Sequence, residues 1–431
     1  EQQALLAGVA TGDTVLTPAL REVGSSITAR PATVFADGKV HRCSGAMYAA
    51  MGMELTSRHD RLDELAALSM PTLVIVGDED QAPYSRPPLS KQLLSGRLNE
   101  DDIHLCRGDD LQLRHIRYLR GVSASTVDLE ARRVLVGADW LPFEHLVIAT
   151  GVSARRPAGT YPAGSIHTVR TVEDSRSLRA QLDRPGPVAV IGAGVLGLEL
   201  AAGIRQLGHD VAVLGRSRHV RLGRTGEHLA SLVESVLLEN GVDLRLGCEP
   251  VGVATPGSVT GVMLADGSVL PATTVVAAVG STPRVEALVG TDLDISDGVL
   301  CDEHGVAAPG VWAVGDVARW YDPDAGLARR VEHQATAIEQ ALAVARSIAT
   351  GEPSPPIVPF HWTELFSQRI VVHGRLNADL PLTLLAGSLD DRRFVGATLH
   401  DGRPTGLVGW NMPREFRQER ARFDDLAPAH R

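Results

Sequence analysis

Short apolar runs recur along the chain, and most of them end at a glycine or an aspartate. Within the runs Val, Ile and Leu follow one another without polar alternation, which indicates parallel strands buried on both faces. The runs are TLVIVG (72–77), HLVIATG (145–151), VAVIGAG (188–194), VAVLG (211–215), TVVAAVG (274–280) and VWAVGD (311–316). Because residues 195–207, 226–240 and 331–349 have helical periodicity, we predict doubly wound α/β units.

The pattern changes at the proline-rich segment GEPSPPIVP (351–359), which we interpret as a linker. Beyond it, RIVVHGRL, RFVGATLHDG and GLVGWN predict short antiparallel strands, and the charged residues 413–423 predict a helix. The C-terminal region is therefore predicted to be a separate α+β domain.

Composition and charge exclude several classes of protein. A chain of 431 residues suggests two to four domains, and its net charge of −10 argues against nucleic acid as a partner. No apolar run approaches the ~18 residues that span a bilayer. The cysteines lie far apart, without metal-ligand spacing, at positions 43, 106, 248 and 301. We expect a cytoplasmic protein with reduced thiols, no metal and no membrane contact.

The strongest local motif is VAVIGAGVLGLELA, in which Gly192, Gly194 and Gly197 form GxGxxG between a strand and a helix. The first glycine permits the tight turn, the second lets the backbone approach a pyrophosphate, and the third lets the helix pack on the strand. The helix N-terminus then faces the phosphates. We predict that these glycines bind NAD(P).

The next strand bears on the choice between NADH and NADPH. An enzyme for NAD usually has an acid at the end of this strand, where it binds the ribose 2′-hydroxyl. Here Gly215 occupies that position, and Arg216 and Arg218 follow. Two arginines in the absence of an acid suit a 2′-phosphate, so NADPH is slightly favoured over NADH. The alternative is that these arginines form an ordinary solvated face.

Two further strand ends carry candidate ligand contacts. One strand ends in Ala149-Thr150-Gly151, and another ends in Gly315-Asp316 just before a predicted helix. A carboxylate in the position of Asp316 can bind a sugar-alcohol hydroxyl. Each motif is weak alone, but their order on either side of GxGxxG makes the combination specific.

From about residue 72 onward the chain resembles the FAD-dependent NAD(P)H:ferredoxin reductases of the putidaredoxin- and rhodocoxin-reductase type, in the pyridine nucleotide-disulfide oxidoreductase superfamily. The motifs PYSRPPLSKQLL, RTVEDSRSLR, AVGDVA, VEHQATAIEQA and FHWTELFSQRI carry this resemblance, in the family's order. It implies an α/β fold with two Rossmann-like, glutathione-reductase-like domains and a C-terminal α+β interface domain. The implied boundaries are 71–155 and 273–350 for FAD, 156–272 for NAD(P) and 356–431 for the interface domain.

The resemblance also implies the residues of the flavin site. Glu79 would bind the adenosine ribose, Arg86 and Lys91 would lie along the flavin and its phosphates, and Glu173 would pair with Lys91 as its catalytic partner. The other implied FAD contacts are Ala149, Thr150, Gly151, Arg155, Gly315, Asp316, Gln334 and Trp362. A surface ion pair for Lys91 and Glu173, and simple packing for Trp362, are the alternatives.

The implied activity is an electron relay from NAD(P)H through FAD to a [2Fe–2S] ferredoxin, with the cofactors supplying the redox chemistry. A disulfide reductase is excluded because the loop QAPYSRPPLSK contains no cysteine. Two alternatives stay open: a flavin-deficient NAD(P)-binding remnant without catalysis, and a flavin reductase that acts on a small molecule or oxygen. A homodimer is also left open.

Residues 1–70 depart from the family, whose FAD domain opens with a strand, GxGxxG and a helix. The nearest segment, CSGAMYAAMGMEL, offers only Gly45 and Gly52. RLDELAALSMPTLVIVGDED resembles a late piece of an α/β-hydrolase with Asp80 as triad acid, but no G-x-S-x-G elbow exists to support that activity. LLAGVATGDTVLTPALRE resembles an acyl-CoA dehydrogenase segment. We expect an atypical, recombined segment that weakens FAD binding.

Overall fold

A computed structural model of the chain describes residues 73–105, 116–222, 226–254, 261–323 and 325–426. The predictions for residues 1–70, Cys43 and Cys106 lie outside these residues. The helices are α1 (Glu100–Ile103), α2 (Val172–Leu182), α3 (Val195–Gln206), α4 (Gly226–Glu239), α5 (Gln334–Thr350) and α6 (Pro413–Leu426). Short 3-10 helices lie at Pro87–Ser90, Glu286–Leu288 and Gly315–Val317.

The strands before the linker belong to several small sheets. They are β1 (Leu73–Gly77), β2 (Ile116–Arg120), β3 (Ala124–Asp128), β4 (Arg133–Val136), β5 (Asp139–Pro142), β6 (Leu146–Ile148), β7 (Val152–Ala154), β8 (Val188–Ile191), β9 (Val211–Gly215), β10 (Asp243–Leu246), β11 (Pro250–Ala254), β12 (Gly261–Leu264), β13 (Val269–Pro271), β14 (Thr274–Ala277), β15 (Ser281–Pro283), β16 (Val299–Cys301), β17 (Val306–Ala308), β18 (Val311–Ala313), β19 (Ala318–Asp322) and β20 (Leu327–Arg330). After the linker follow β21 (Phe360–Leu365), β22 (Gln368–Gly374), β23 (Leu382–Ser388), β24 (Arg393–His400) and β25 (Arg403–Trp410).

The region around GxGxxG forms a four-stranded parallel sheet in the order β10-β9-β8-β14. All residues of β8 are buried, as its continuous apolar run predicts. Helix α3 packs beside this sheet and buries Leu198, Leu200 and Ile204 completely. The carboxyl ends of the parallel strands therefore meet at one edge, where ligands of doubly wound sheets bind.

The three glycines of the fingerprint have different structural roles. Gly192 has a φ of +119°, and a Cβ there would lie 2.1 Å from the carbonyl oxygen of Ala278. A Cβ on Gly197 would lie 1.9 Å from the carbonyl oxygen of Gly192. For Gly194, in contrast, no described residue outside its own helix and chain neighbours has an atom within 4 Å of the ideal Cβ position. The outer two glycines permit close packing, whereas the middle one borders open space.

The region around Asp316 corrects one prediction. A 3-10 turn follows β18, and the chain then continues as strand β19, so the helix predicted directly after Asp316 is wrong. Ala318 and Trp320 alternate inward in this strand, and Trp320 Nε1 donates a hydrogen bond of 2.8 Å to the Ala313 carbonyl. These contacts hold the segment against β18, and the next α-helix begins only at Gln334.

The C-terminal region is a five-stranded antiparallel sheet in the order β21-β22-β25-β24-β23, covered by α6. Phe416 and Phe423 of α6 pack against the sheet core. This confirms the predicted strands and charged helix. Strands β21 and β23 were not predicted, and β23 has no simple alternation because a bulge between Leu384 and Ala386 interrupts its register.

The contrast between Gly197 and Gly194 yields a testable prediction about stability. Gly197→Ala should lower the free energy of unfolding by about 1–3 kcal/mol, because the new methyl group has no room against Gly192. Gly194→Ala should leave it nearly unchanged, because that position is open and has a φ of −90°. Urea unfolding of both variants measures the difference, and equal losses would contradict the assigned roles.

Candidate functional site

Arg284 joins the carboxyl ends of two separate strands. Its guanidinium forms an ion pair with Asp78, directly after β1. Its backbone amide donates to the Gly151 carbonyl at 3.0 Å, and its own carbonyl accepts from Thr150 Oγ1 at 2.5 Å. The predicted Ala-Thr-Gly contact and the end of β1 therefore border one site. Arg284 itself was not predicted, because only the fold brings it to these strands.

A chain of charged groups links Glu79 to Asp316. Glu79 pairs with Arg86 at 2.5 Å, and the Tyr84 hydroxyl also donates to Glu79. Arg86 Nη1 donates to the Arg170 carbonyl at 2.7 Å, and the Arg170 guanidinium pairs with Asp316 at 3.0 Å. The predicted contacts Glu79, Arg86 and Asp316 are thus brought together, with Arg170 as an unpredicted member.

Burial changes the acidity of two members of this chain. Desolvation raises the pKa of the Asp316 carboxyl, and the neighbouring Arg170 only partly offsets that effect. Desolvation also raises the pKa of the Tyr84 phenol. The phenol is therefore protonated at neutral pH and donates a hydrogen bond to Glu79. The two carboxylates keep cationic partners, as buried charges require.

Lys91 pairs with Glu199 rather than with Glu173. Lys91 Nζ lies 2.8 Å from Glu199 Oε1, and the two side chains are only 13% and 9% exposed. Glu199 also accepts hydrogen bonds from Thr363 Oγ1 at 2.7 Å and from Ser90 Oγ at 3.4 Å. The pair therefore connects the proline-rich loop, helix α3 and strand β21.

The predicted pairing of Lys91 with Glu173 is wrong. Glu173 lies in the first turn of α2, where its carboxylate accepts from Gln81 Nε2 at 3.0 Å. Glu199 is visible in the sequence only as a helix residue after GxGxxG. It is a single carboxylate within the otherwise apolar run VLGLELAAGI, and this was the available signal that it needs a buried partner.

Trp362 lies beside this ion pair. Lys91 Nζ is 4.5 Å from the centroid of the Trp362 ring, and Arg369 Cζ is 5.7 Å from it. Cations over an indole face are attracted by the ring quadrupole. Trp362 therefore borders Lys91, and its contact with a flavin stays a prediction.

His333 connects Trp362 to helix α5. The Ala335 amide donates to His333 Nδ1 at 3.2 Å. His333 Nε2 lies 3.2 Å from both the amide nitrogen and the carbonyl oxygen of Trp362, and the tautomer determines which of the two it engages. Burial, together with the nearby His361 and Lys91, lowers the pKa of His333 to about 4. The ring is thus neutral at pH 7 and caps the helix.

The other predicted FAD contacts lie along the same region. Arg155 Nη2 donates to the Ser281 carbonyl at 2.7 Å, and Ser281 Oγ donates to Glu332, next to His333. Gln334 Nε2 donates to Ser85 Oγ at 3.2 Å, and the Gly315 amide donates to Gln340 at 2.8 Å. Their roles toward a cofactor stay predictions.

The nucleotide end of the site is open and basic. Gly215 is buried, and a Cβ there would lie 2.8 Å from the Cβ of Ala193, which explains why no side chain stands at this strand end. Arg216 and Arg218 are exposed directly after it. Neither forms an ion pair with any carboxylate in the part of the chain that the structure describes.

The donor set fits FAD. The carboxylates Glu79 and Asp316 suit sugar hydroxyls, and the cations Arg86 and Lys91 suit phosphates and a reduced ring. Glu79 and Asp316 follow the carboxyl ends of the parallel strands β1 and β18, where open α/β sheets bind ligands. Within the described ranges, no cluster of His, Cys, Asp and Glu is placed to hold a metal ion. No described helix is long and apolar enough to cross a bilayer.

Comparison with known proteins shows the family. The chain belongs to the pyridine nucleotide-disulphide oxidoreductases, whose family pattern matches residues 62–341. It is 31% identical to the ferredoxin reductase component of chlorobenzene dioxygenase from Cupriavidus sp., over 79% of this chain and 83% of the relative. It is 28% identical to putidaredoxin reductase from Pseudomonas putida, over 82% of this chain and 86% of the relative.

Solved structures agree with this assignment. The covalent putidaredoxin reductase–putidaredoxin complex matches with a TM-score of 0.79 and 26% identity, covering 89% of this chain and 91% of that chain. The ferredoxin reductase of the CYP199A2 system from Rhodopseudomonas palustris matches with a TM-score of 0.77 and 26% identity, covering 86% and 91%. The predicted superfamily, oxidoreductase class and α/β fold are therefore confirmed.

The corrected ion pair predicts different costs for two glutamates. Glu199→Gln should lower the free energy of unfolding by about 3 kcal/mol, because it leaves the buried Lys91 without a counter-charge. Glu173→Gln, the matched control on the surface of α2, should cost less than about 0.5 kcal/mol. Urea unfolding measures both, and a greater loss for the Glu173 variant would restore the original pairing.

The neutral His333 predicts an acid-sensitive contribution to stability. Its folded pKa of about 4 lies below the unfolded value of 6.5, so the folded state binds fewer protons. The contribution of the neutral His333 to the free energy of unfolding is complete above pH 6.5. It is lost as the pH falls toward 4, and the total loss is about 3 kcal/mol. His333→Asn keeps a helix cap but cannot titrate. Its unfolding free energy should fall less than that of the wild type between pH 7 and pH 4, and parallel pH profiles would disprove the assignment.

Proposed function

We propose that this protein is a flavoprotein that passes electrons from NAD(P)H through FAD to a [2Fe–2S] ferredoxin in the cytoplasm. The observation that carries the proposal is the buried Lys91–Glu199 ion pair beside Trp362. It lies where the proline-rich loop, the first helix of the nucleotide fingerprint and the C-terminal sheet meet. A hydride donor and a flavin have to approach each other at such a junction.

FAD, when bound, would supply the conversion of a hydride transfer into single-electron steps. Lys91 would stabilise negative charge on the reduced ring, and Glu199 would keep Lys91 in position. Arg86 would neutralise phosphate charge, while Glu79 and Asp316 would accept hydrogen bonds from hydroxyl groups. Since Glu79 already holds Arg86 and Tyr84, FAD binding would require an exchange of these partners.

A ferredoxin as electron acceptor is supported by the relatives. Those named above are reductases of ferredoxin-type proteins, and one solved relative is covalently joined to putidaredoxin. A disulfide substrate finds no support, because the loop that contains Lys91 has no cysteine. The two free cysteines of the described residues, Cys248 and Cys301, lie elsewhere, and burial raises the pKa of both thiols.

The second candidate function is a flavin-free protein that binds only NAD(P). One observation favours it: residues 1–70 contain no GxGxxG that could hold the FAD pyrophosphate. A flavoprotein that reduces a small molecule would differ from the proposed ferredoxin reductase only in its electron acceptor.

For the nucleotide we infer a preference for NADPH. The buried Gly215 leaves no room for the acid that would bind a free ribose hydroxyl, and Arg216 and Arg218 are exposed beside it. The same arginines would attract a 2′-phosphate. A homodimer has no supporting contact in this single chain and is not proposed.

The decisive experiment is a visible absorbance spectrum of the purified protein, before and after addition of excess FAD. We expect a flavin band that bleaches on addition of NADPH, and reduction of cytochrome c that depends on an added [2Fe–2S] ferredoxin. Asp316→Asn should weaken FAD binding by roughly tenfold, since it removes a charged acceptor. Asp183→Asn, at an exposed position after α2, is the matched control.

The outcomes separate the candidates. A protein that retains no flavin even with excess FAD, yet still binds NADPH, would be the nucleotide-binding remnant. A flavin band with equal cytochrome reduction in the presence and absence of ferredoxin would instead indicate a small molecule or oxygen as the acceptor.

A further inference from the structure

The segment that follows β9 returns to the glycine fingerprint. The Arg221 amide donates a hydrogen bond of 2.8 Å to the Ala193 carbonyl, and Arg221 forms an isolated parallel bridge with Gly194. Gly194 is the middle glycine, where a nucleotide pyrophosphate approaches the backbone. A basic residue six positions beyond the strand end is thus fixed beside the phosphate end of the site.

This placement of Arg221 is rigid. Its neighbours Val220 and Leu222 are buried, with 3% and 7% exposure, in the core that also contains Leu229. The Val220 amide donates to Glu234 Oε1 at 2.9 Å. Side chains alternate in an extended segment, so Arg221 points away from that core and is exposed.

The surroundings of Arg221 suit an anion. Apart from its chain neighbours and its own helix, no described residue has an atom within 4 Å of the ideal Cβ position on Gly194, so the described side of the bridge is open. In the described ranges, no carboxylate forms an ion pair with Arg221. Helix α3 begins directly after Gly194, and a glycine N-cap leaves its first backbone amides without a capping side chain. Arg221 therefore has an exposed guanidinium without a carboxylate partner among the described residues, on a backbone that lies beside the phosphate-binding turn.

We propose that Arg221 binds the pyrophosphate of NAD(P), a role distinct from that of Arg216 and Arg218. This inference rests on the nucleotide-binding part of the proposed function. The pyrophosphate is common to NADH and NADPH, so Arg221 contributes equally to the affinity for both. Arg216 and Arg218 follow the ribose end of β9, and they contribute only where a 2′-phosphate is present.

The test compares two ligands that differ only in the 2′-phosphate, ADP-ribose and 2′-phospho-ADP-ribose, by isothermal titration calorimetry of the full chain. Arg221→Gln should weaken both by the same factor, on the order of tenfold, as expected for a lost charge-assisted hydrogen bond. Arg216→Gln should weaken only the 2′-phosphorylated ligand. Arg184→Gln, an exposed arginine at the opposite end of the strands, is the control and should change neither.

The salt dependence of the affinity distinguishes a phosphate contact of Arg221 from a purely structural role. The slope of log affinity against log salt should be shallower in Arg221→Gln than in the wild type, because one phosphate contact is gone. Arg221→Lys retains the charge and should keep the wild-type slope. Thermal unfolding of each variant confirms that it is folded.

Three results would overturn the assignment, each in a different way. Wild-type affinities in Arg221→Gln would show that this residue makes no phosphate contact, while the nucleotide site itself would stand. A loss of affinity for 2′-phospho-ADP-ribose alone would show that Arg221 contacts the 2′-phosphate rather than the pyrophosphate. Absence of binding of either ligand to the wild type would instead refute the nucleotide-binding part of the proposed function.

Discussion

The buried ion pair of Lys91 and Glu199 is the interaction on which the rest of the site depends. Removing two charges from water costs several kcal/mol per ion, and attraction alone seldom repays it. Here Thr363 and Ser90 donate to Glu199, and the Trp362 ring lies over Lys91. These groups come from three parts of the chain, so the pair is satisfied only when all three are assembled.

The same charge determines the state of its neighbours. His333 lies within reach of the field of Lys91, and this charge adds to burial and to His361 in keeping the ring neutral. A doubly protonated ring could not accept the hydrogen bond from the Ala335 amide, so the neutral ring preserves this helix cap while Nε2 stays in contact with the Trp362 backbone. The start of helix α5, the position of Trp362 and the protonation of His333 are therefore one coupled arrangement.

How far the sequence predicts this structure depends on the range of the interactions. The strand, turn and helix at Gly192 follow from local steric needs, and they were predicted correctly. The turn after Asp316 was not, because the inward alternation of Ala318 and Trp320 outweighed the expected helix. Glu173 and Glu199 are both helical acids in the sequence. Only packing of α3 against the proline-rich loop selects between them, and no local pattern encodes that contact.

The two ends of the site differ in how their charges are balanced, and this difference is consistent with the proposed function. At the proposed flavin end, Glu79 pairs with Arg86 and Arg170 pairs with Asp316, and these side chains are between 17% and 39% exposed. A ligand that binds there has to replace existing partners, so its binding requires these ion pairs to rearrange. At the nucleotide end the arginines are exposed and have no carboxylate partner among the described residues. A ligand there displaces only water and counterions and can leave as readily. The first arrangement is what a resident cofactor needs, and the second is what a substrate consumed at every turnover needs.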